Sequence, residues 1–307
     1  MTIAQSAEPG ATGSDDHADH AEPEAESDGP SRLERLRGVG FQFLLVFLAA
    51  ILYFLVRGLT QGHESTAVSH AHEVLRFERA LGIDVEVGAQ HLVLDHRPLV
   101  TAFNWVYMWG HWPVIATALL VLYSKDRRRY VILRNAMFLS GAVGLVIFAT
   151  WPVAPPRLIP GGADYVDTVT KWSTSYRVLQ PPGLVNKFAA MPSYHVGWNL
   201  LVGIALWLTF RRPVVRALAV ASPVLMSIAV VVTANHFVLD GIVGAALALL
   251  GLAASHAIYS GAARHGWDLS EVHLWRRRMR TRKKRGREIQ AVHDDGVDAP
   301  LGELFRL

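Results

Sequence analysis

Apolar residues gather into six runs, near residues 39–57, 100–123, 135–152, 196–210, 214–235 and 237–259, with polar, Pro- and Gly-bearing stretches between them. Each run is close to the ~20 residues that a helix rising ~1.5 Å per residue needs to cross a hydrocarbon core of ~30 Å. The pattern predicts an all-α polytopic membrane protein with six transmembrane helices. The last two are parted only by the polar point Asn235-His236.

The stretches between runs carry patterns of their own. In residues 58–98, Val68, Ala71, Val74, Leu75, Glu78 and Leu81 recur at three-to-four spacing, and Glu78 alone breaks an apolar row. This predicts an interfacial helix along the membrane, with His70 and His72 on its polar face. Residues 153–191 hold "PVAPPRLIPGG" and many turn formers, and loops of this length usually have a function. Residues 1–31 read as a disordered acidic tail, in which "HADH" is a solvated sequence without partners for a metal. Residues 263–307 read as a basic cytoplasmic tail. The membrane domain is thus 32–262.

Charge orients the helices. With the N-terminus cytoplasmic, the inner segments collect 22 of the 30 Lys and Arg residues and the outer ones 8. The positive-inside rule therefore predicts a multi-pass protein of the plasma membrane with both termini cytoplasmic. The first run starts near residue 39 and is long enough to stay as an anchor, which argues against a cleaved signal peptide. Cysteine is absent, so disulfide and thiolate chemistry are excluded. A pI near 9.5 reflects basic loops beside anionic lipid; without interleaved aromatics the basic tail gives no reason to expect nucleic acid.

Under this topology three helix ends converge on the outer side. The third run ends in "WPVAPPRLIP" with Arg157, the fourth begins after "MPSYH", and the fifth ends in "TANHFVLDG". His236 and Asp240 are four apart and would share a helix face. An aspartate beside an imidazole fixes its tautomer and frees the other nitrogen to attack. His195 offers an acid or base for a leaving oxygen. Ser193 and the amides opening the fourth helix make an anion cradle, and Arg157 adds a forked cation matched to phosphate. Phosphoryl transfer suits this set. A metal held by His195, His236 and Asp240 is the alternative, though arginine and helix end already supply the positive charge, so no metal or other cofactor is expected. In "FNWVYMWGHWP", Asn104, Tyr107 and His111 either line a head-group cavity or form a polar seam between helices.

"MPSYH" and "NHFVLD" resemble the second and third signature motifs of the type 2 phosphatidic acid phosphatase superfamily, over roughly residues 100–260. The resemblance implies a metal-independent mechanism with His236 as nucleophile, His195 as acid–base and Asp240 as orienting acid. Two features depart from the phosphatase pattern. The Ser-Arg expected ahead of the nucleophile is replaced by Ala229 and Val230, and "APPRLIP" stands where the first motif's Lys and Arg-Pro would be. Arg127 and Arg134 have the first motif's spacing but belong to the inner end of the third helix. The variant motifs are closer to the inositol phosphorylceramide synthase and inositolphosphotransferase-like branch. The expected partners are therefore a lipid phosphoester and a polyol acceptor. Plain hydrolysis by the same residues is one alternative, and a non-catalytic lipid-binding or transport protein is another.

Overall fold

The computed structural model describes residues 32–60, 64–160, 165–172 and 187–266. The acidic tail with "HADH", the basic tail from residue 267 on, and residues 161–164 and 173–186 of the 153–191 stretch lie outside the described residues. Within them the chain is helical, with one isolated bridge joining Val153 to Ala189.

Helix α1 spans Arg32–Thr60, α2 Glu64–Leu81, α3 Glu86–Leu94, α4 Arg97–Trp109, α5 Trp112–Lys125 and α6 Arg127–Thr150. After α7 (Thr168–Trp172) come α8 (Tyr194–Thr209), α9 (Pro213–Val232) and α10 (Val238–Arg264). All six predicted runs lie in helices, but they are not six equal spans. Helices α6, α9 and α10 are long and apolar enough to cross a membrane, and α4 with α5 would make a fourth span bent by 47°. The bend falls at Gly110-His111, where Gly110 caps α4 and Pro113, which has no N–H, opens α5. At 16 residues α8 is about 24 Å long, short of the hydrocarbon core.

Helix α10 packs along α6 and α8, and α9 packs along α8 and α4. Glycine permits the closest crossings. A Cβ on Gly197 would meet the carbonyl of Gly244, and one on Gly244 would collide with the carbonyl of Ser193, so α8 starts directly against the first turns of α10. The outward faces remain apolar, with Leu218, Val224, Ile242 and Leu250 exposed as a lipid-facing surface requires.

Arg134, which shares the first motif's spacing with Arg127, is half a bundle away from the site. It donates to Gln42 of α1 and to Asn135. Sixteen residues separate it from Thr150, where α6 ends, a rise of about 24 Å.

Helix α2 differs from an isolated interfacial helix. Its row of Ala67, Ala71, Val74 and Leu75 packs on Val153, Ala154 and Phe237 rather than facing away from the protein. Leu81, expected in that row, is exposed, whereas Glu78 is fully buried. His70 is not simply on a polar face: it stacks on Trp151 and its Nδ1 donates to the Pro152 carbonyl at 2.8 Å.

Candidate functional site

The site forms where α6 and α9 end and α8 and α10 begin. Backbone bonds tie these four ends together. The Arg157 amide donates to Ala234, the Ser193 amide to Asp240, and Val153 pairs with Phe188 and Ala190. Arg157, Ser193, His195, His236 and Asp240, predicted from separate helix ends, are therefore brought together.

His236 does not sit on a helix. It follows Ala234, whose φ of 53° lies in the left-handed region, and its amide and that of Asn235 both donate to Val230. The contact with Asp240 survives for another reason. Asp240 is the third residue of α10, and its Oδ2 reaches back to accept the Phe237 amide at 2.9 Å, which leaves that oxygen 3.4 Å from His236 Nδ1. The shorter bond of Nδ1 runs to the Ala190 carbonyl, 2.8 Å away. A carbonyl only accepts, so Nδ1 carries the proton and Nε2 holds the lone pair. Burial pushes the His236 imidazole down to about 3; the Arg157 charge acts the same way and the Ala190 carbonyl opposes it. The ring is thus held neutral, with its lone pair at Nε2.

The His195 ring centroid lies 5.5 Å from that of His236, close enough for one phosphoryl group to be shared between them. His195 stacks on Tyr107 at 4.5 Å and lies 4.4 Å from His111. The Asn199 amide donates to the His195 carbonyl and to His111 Nδ1, and its carbonyl accepts from Ser222. Tyr107 and His111 thus back the His195 ring. Asn104 acts elsewhere. Buried in α4, it exchanges two hydrogen bonds with Thr168 and fastens α7, which is the polar-seam arrangement.

Ser193 caps α8 with a side chain that makes no capping bond, and its Oγ is buried with no hydrogen-bond partner. A buried hydroxyl without a partner at a helix N-terminus is the arrangement an anion completes. Arg157 is nearly buried. Its Nε lies 3.6 Å from Asp167, and its charge acts on both site histidines. Where the phosphatase pattern has Ser-Arg, Ala229 and Val230 are packed with Tyr107, Met108 and Met226.

Four residues join this picture without having been singled out for the site. Asp167 orients Arg157, and nothing in its surroundings marks it in the sequence. Glu78 and Glu86 bind the start of α10: Glu86 accepts the Val238 amide at 2.8 Å and Glu78 the Leu239 amide at 2.7 Å. Gln90, one turn after Glu86, bonds Val166 and the Val232 carbonyl. Only Glu78 left a trace, as the one charge in an apolar row. With Asp240, three buried carboxylates thus hold three consecutive amides at the start of α10, those of its cap Phe237 and of Val238 and Leu239. That helix N-terminus is filled from within, whereas that of α8, beside Ser193, faces the histidines.

Neither the curated proteins nor the solved structures contain a match to this chain. The sequence profile of the PAP2 superfamily, however, matches residues 72–254, more than half of the chain and a stretch holding every residue of the site just described. The chain belongs to the PAP2 superfamily, membership of which points to lipid phosphatase or phosphotransferase activity.

Proposed function

We propose that this protein is a membrane phosphotransferase acting on lipid phosphoesters at the outer leaflet of the plasma membrane, both of its termini being cytoplasmic. The observation that carries the reading is the tautomer of His236: Ala190 and Asp240 hold Nδ1, so Nε2 is the nitrogen presented to phosphorus. In the first step Nε2 attacks, an N–P bond forms, and the P–O bond to the lipid breaks while protonated His195 gives its proton to the departing oxygen. In the second step His195 takes the proton of an incoming hydroxyl, whose oxygen attacks phosphorus and releases His236. Asp240 stabilises the charge that develops on His236, and Arg157 and Ser193 bind the non-bridging oxygens. The positive charge that the transition state needs comes from Arg157 and the start of α8, so no metal ion takes part.

Transfer to an alcohol such as an inositol-type head group is favoured over transfer to water because the centre is sealed. His236 is 6% exposed and Ser193 and Asp240 are fully buried. A hydrolase must admit water to its intermediate, whereas a transferase must exclude it. The test is product partitioning: purified protein in detergent and excess chelator receives labelled lipid phosphates with rising concentrations of polyols. A new phosphoester growing at the expense of free phosphate is expected. Free phosphate as the only product with every acceptor makes the protein a phosphatase. Dependence on an added divalent ion overturns the metal-free mechanism. Lipid binding without turnover, unchanged in His236→Ala, leaves a binding or transport protein.

A further inference from the structure

The α9–α10 turn that presents His236 is held from outside the bundle, by two helices that precede every predicted catalytic residue in sequence. Glu78 on α2 and Glu86 on α3 are both fully buried, and each gives its Oε1 to one of two successive amides, Leu239 and Val238. The second oxygen of each carboxyl is buried and meets no donor, and the two carboxyls are neighbours, since they accept from successive amides and each acts on the other electrostatically. Two ionised carboxylates have no hydrogen to share and repel at this range. One proton between them converts the clash into a hydrogen bond and leaves a single negative charge facing the helix N-terminus, where it is stabilised.

We propose that Glu78 and Glu86 share one proton and act as a single clamp, a pair of positioning residues that fixes the α9–α10 turn and so aims His236. The pair responds to pH for stated reasons. Burial pushes the Glu78 carboxyl up to about 8, Glu86 and Asp240 of α10 add to the rise, and the Leu239 amide opposes it. Among the described residues, Tyr165 feels the charge of both carboxyls, and Arg79 and Asp84, which also act on Tyr165, pair with each other at 3.5 Å. A carboxyl whose folded value is raised above its unfolded one gives stability that is complete below the ordinary carboxyl range. That stability is lost as pH climbs towards about 8. Above that point Glu78 has lost its proton and the clamp opens.

The proposal rests on the phosphoryl-transfer reading only for its activity readout. Glu78→Gln imitates the protonated acid: its carbonyl can accept the Leu239 amide while its NH₂ donates to Glu86. Glu86→Gln does the same from the other side. Turnover and thermal midpoint in detergent are followed from pH 5 to pH 10 for wild type, both Gln variants and Glu78→Ala. The wild-type midpoint should fall as pH rises to about 8 and turnover should drop beyond it. Both Gln variants should hold their midpoint across that range and retain turnover within about threefold of the wild-type maximum. Glu78→Ala should lose tenfold or more in turnover at every pH. Gln variants that follow the wild-type pH profiles, or that are as damaged as Glu78→Ala, overturn the clamp. If wild type turns over none of the lipid phosphates, the functional reading fails while the midpoint profiles still decide the clamp.

Discussion

Replacing Arg157 by lysine tests whether a forked cation, and not merely a positive charge, serves the phosphoryl group. In the native site Nε pairs with Asp167 at 3.6 Å, which leaves the two terminal nitrogens for a ligand held near His236 and His195. Removing one preorganised donor from a developing oxyanion costs about 10²–10³ in kcat, or roughly 3–4 kcal/mol. Arg157→Ala removes two donors and a charge and should lose at least that factor. Lysine restores the charge as a single point, which cannot pair with Asp167 and fork onto two oxygens together, so a 10- to 100-fold loss should remain. The turn itself should survive both changes, because its bond from Arg157 to Ala234 uses the main chain. Initial rates on the best lipid phosphoester, with thermal midpoints as a control for folding, provide the assay. Wild-type turnover in Arg157→Lys, or a loss below tenfold in Arg157→Ala, would refute the assignment of this arginine to phosphate.

His236→Ala and His195→Ala should each lower turnover by several powers of ten while the protein stays folded and membrane-inserted; activity within about tenfold of wild type in either one removes that residue from the mechanism. Gly244→Ala places a methyl against the Ser193 carbonyl and must push the start of α8 away from α10. Overpacking of this kind costs roughly 1–3 kcal/mol, so a lower thermal midpoint and weakened turnover are expected, and an unchanged variant shows that the two helix ends need not touch.

The fold was legible wherever apolar length carries the information. All six runs became helices because a long apolar run in this setting has few other ways to satisfy its backbone. Their status as spans was less legible. The run over 100–123 hides a break at Gly110-His111 that hydropathy averages away, and the run over 196–210 folds into a helix of 16 residues. Helix α2 shows the converse. Its three-to-four spacing correctly gave a buried face, but spacing does not say whether lipid or protein covers it. Glu78 held the answer, since a carboxylate in an apolar row needs a donor that lipid cannot supply.

The site shows why motif residues were readable and their supports were not. His195, His236 and Asp240 stand in short local patterns, and the chain folds locally around them. Yet the reason Asp240 meets His236 was not the one that spacing suggested. A shared helix face would require His236 to be helical, whereas it stands before the Phe237 cap of α10 and its amide donates back to Val230. Placing the histidine one residue before the cap frees its backbone to turn, while the capping aspartate reaches back to it as a consequence of binding the Phe237 amide. Orientation of the imidazole is therefore coupled to the integrity of the helix start. Glu86, Gln90 and Asp167 act across 152, 142 and 10 residues of chain respectively, and no local pattern encodes such partners. What Glu78 and Glu86 meet is a physical demand: the first amides of α10 are buried, each needs an acceptor, and α2 and α3 supply the two that Asp240 does not. The turn that carries His236 is thus held by residues far from it in sequence, which ties α2 and α3 to the site.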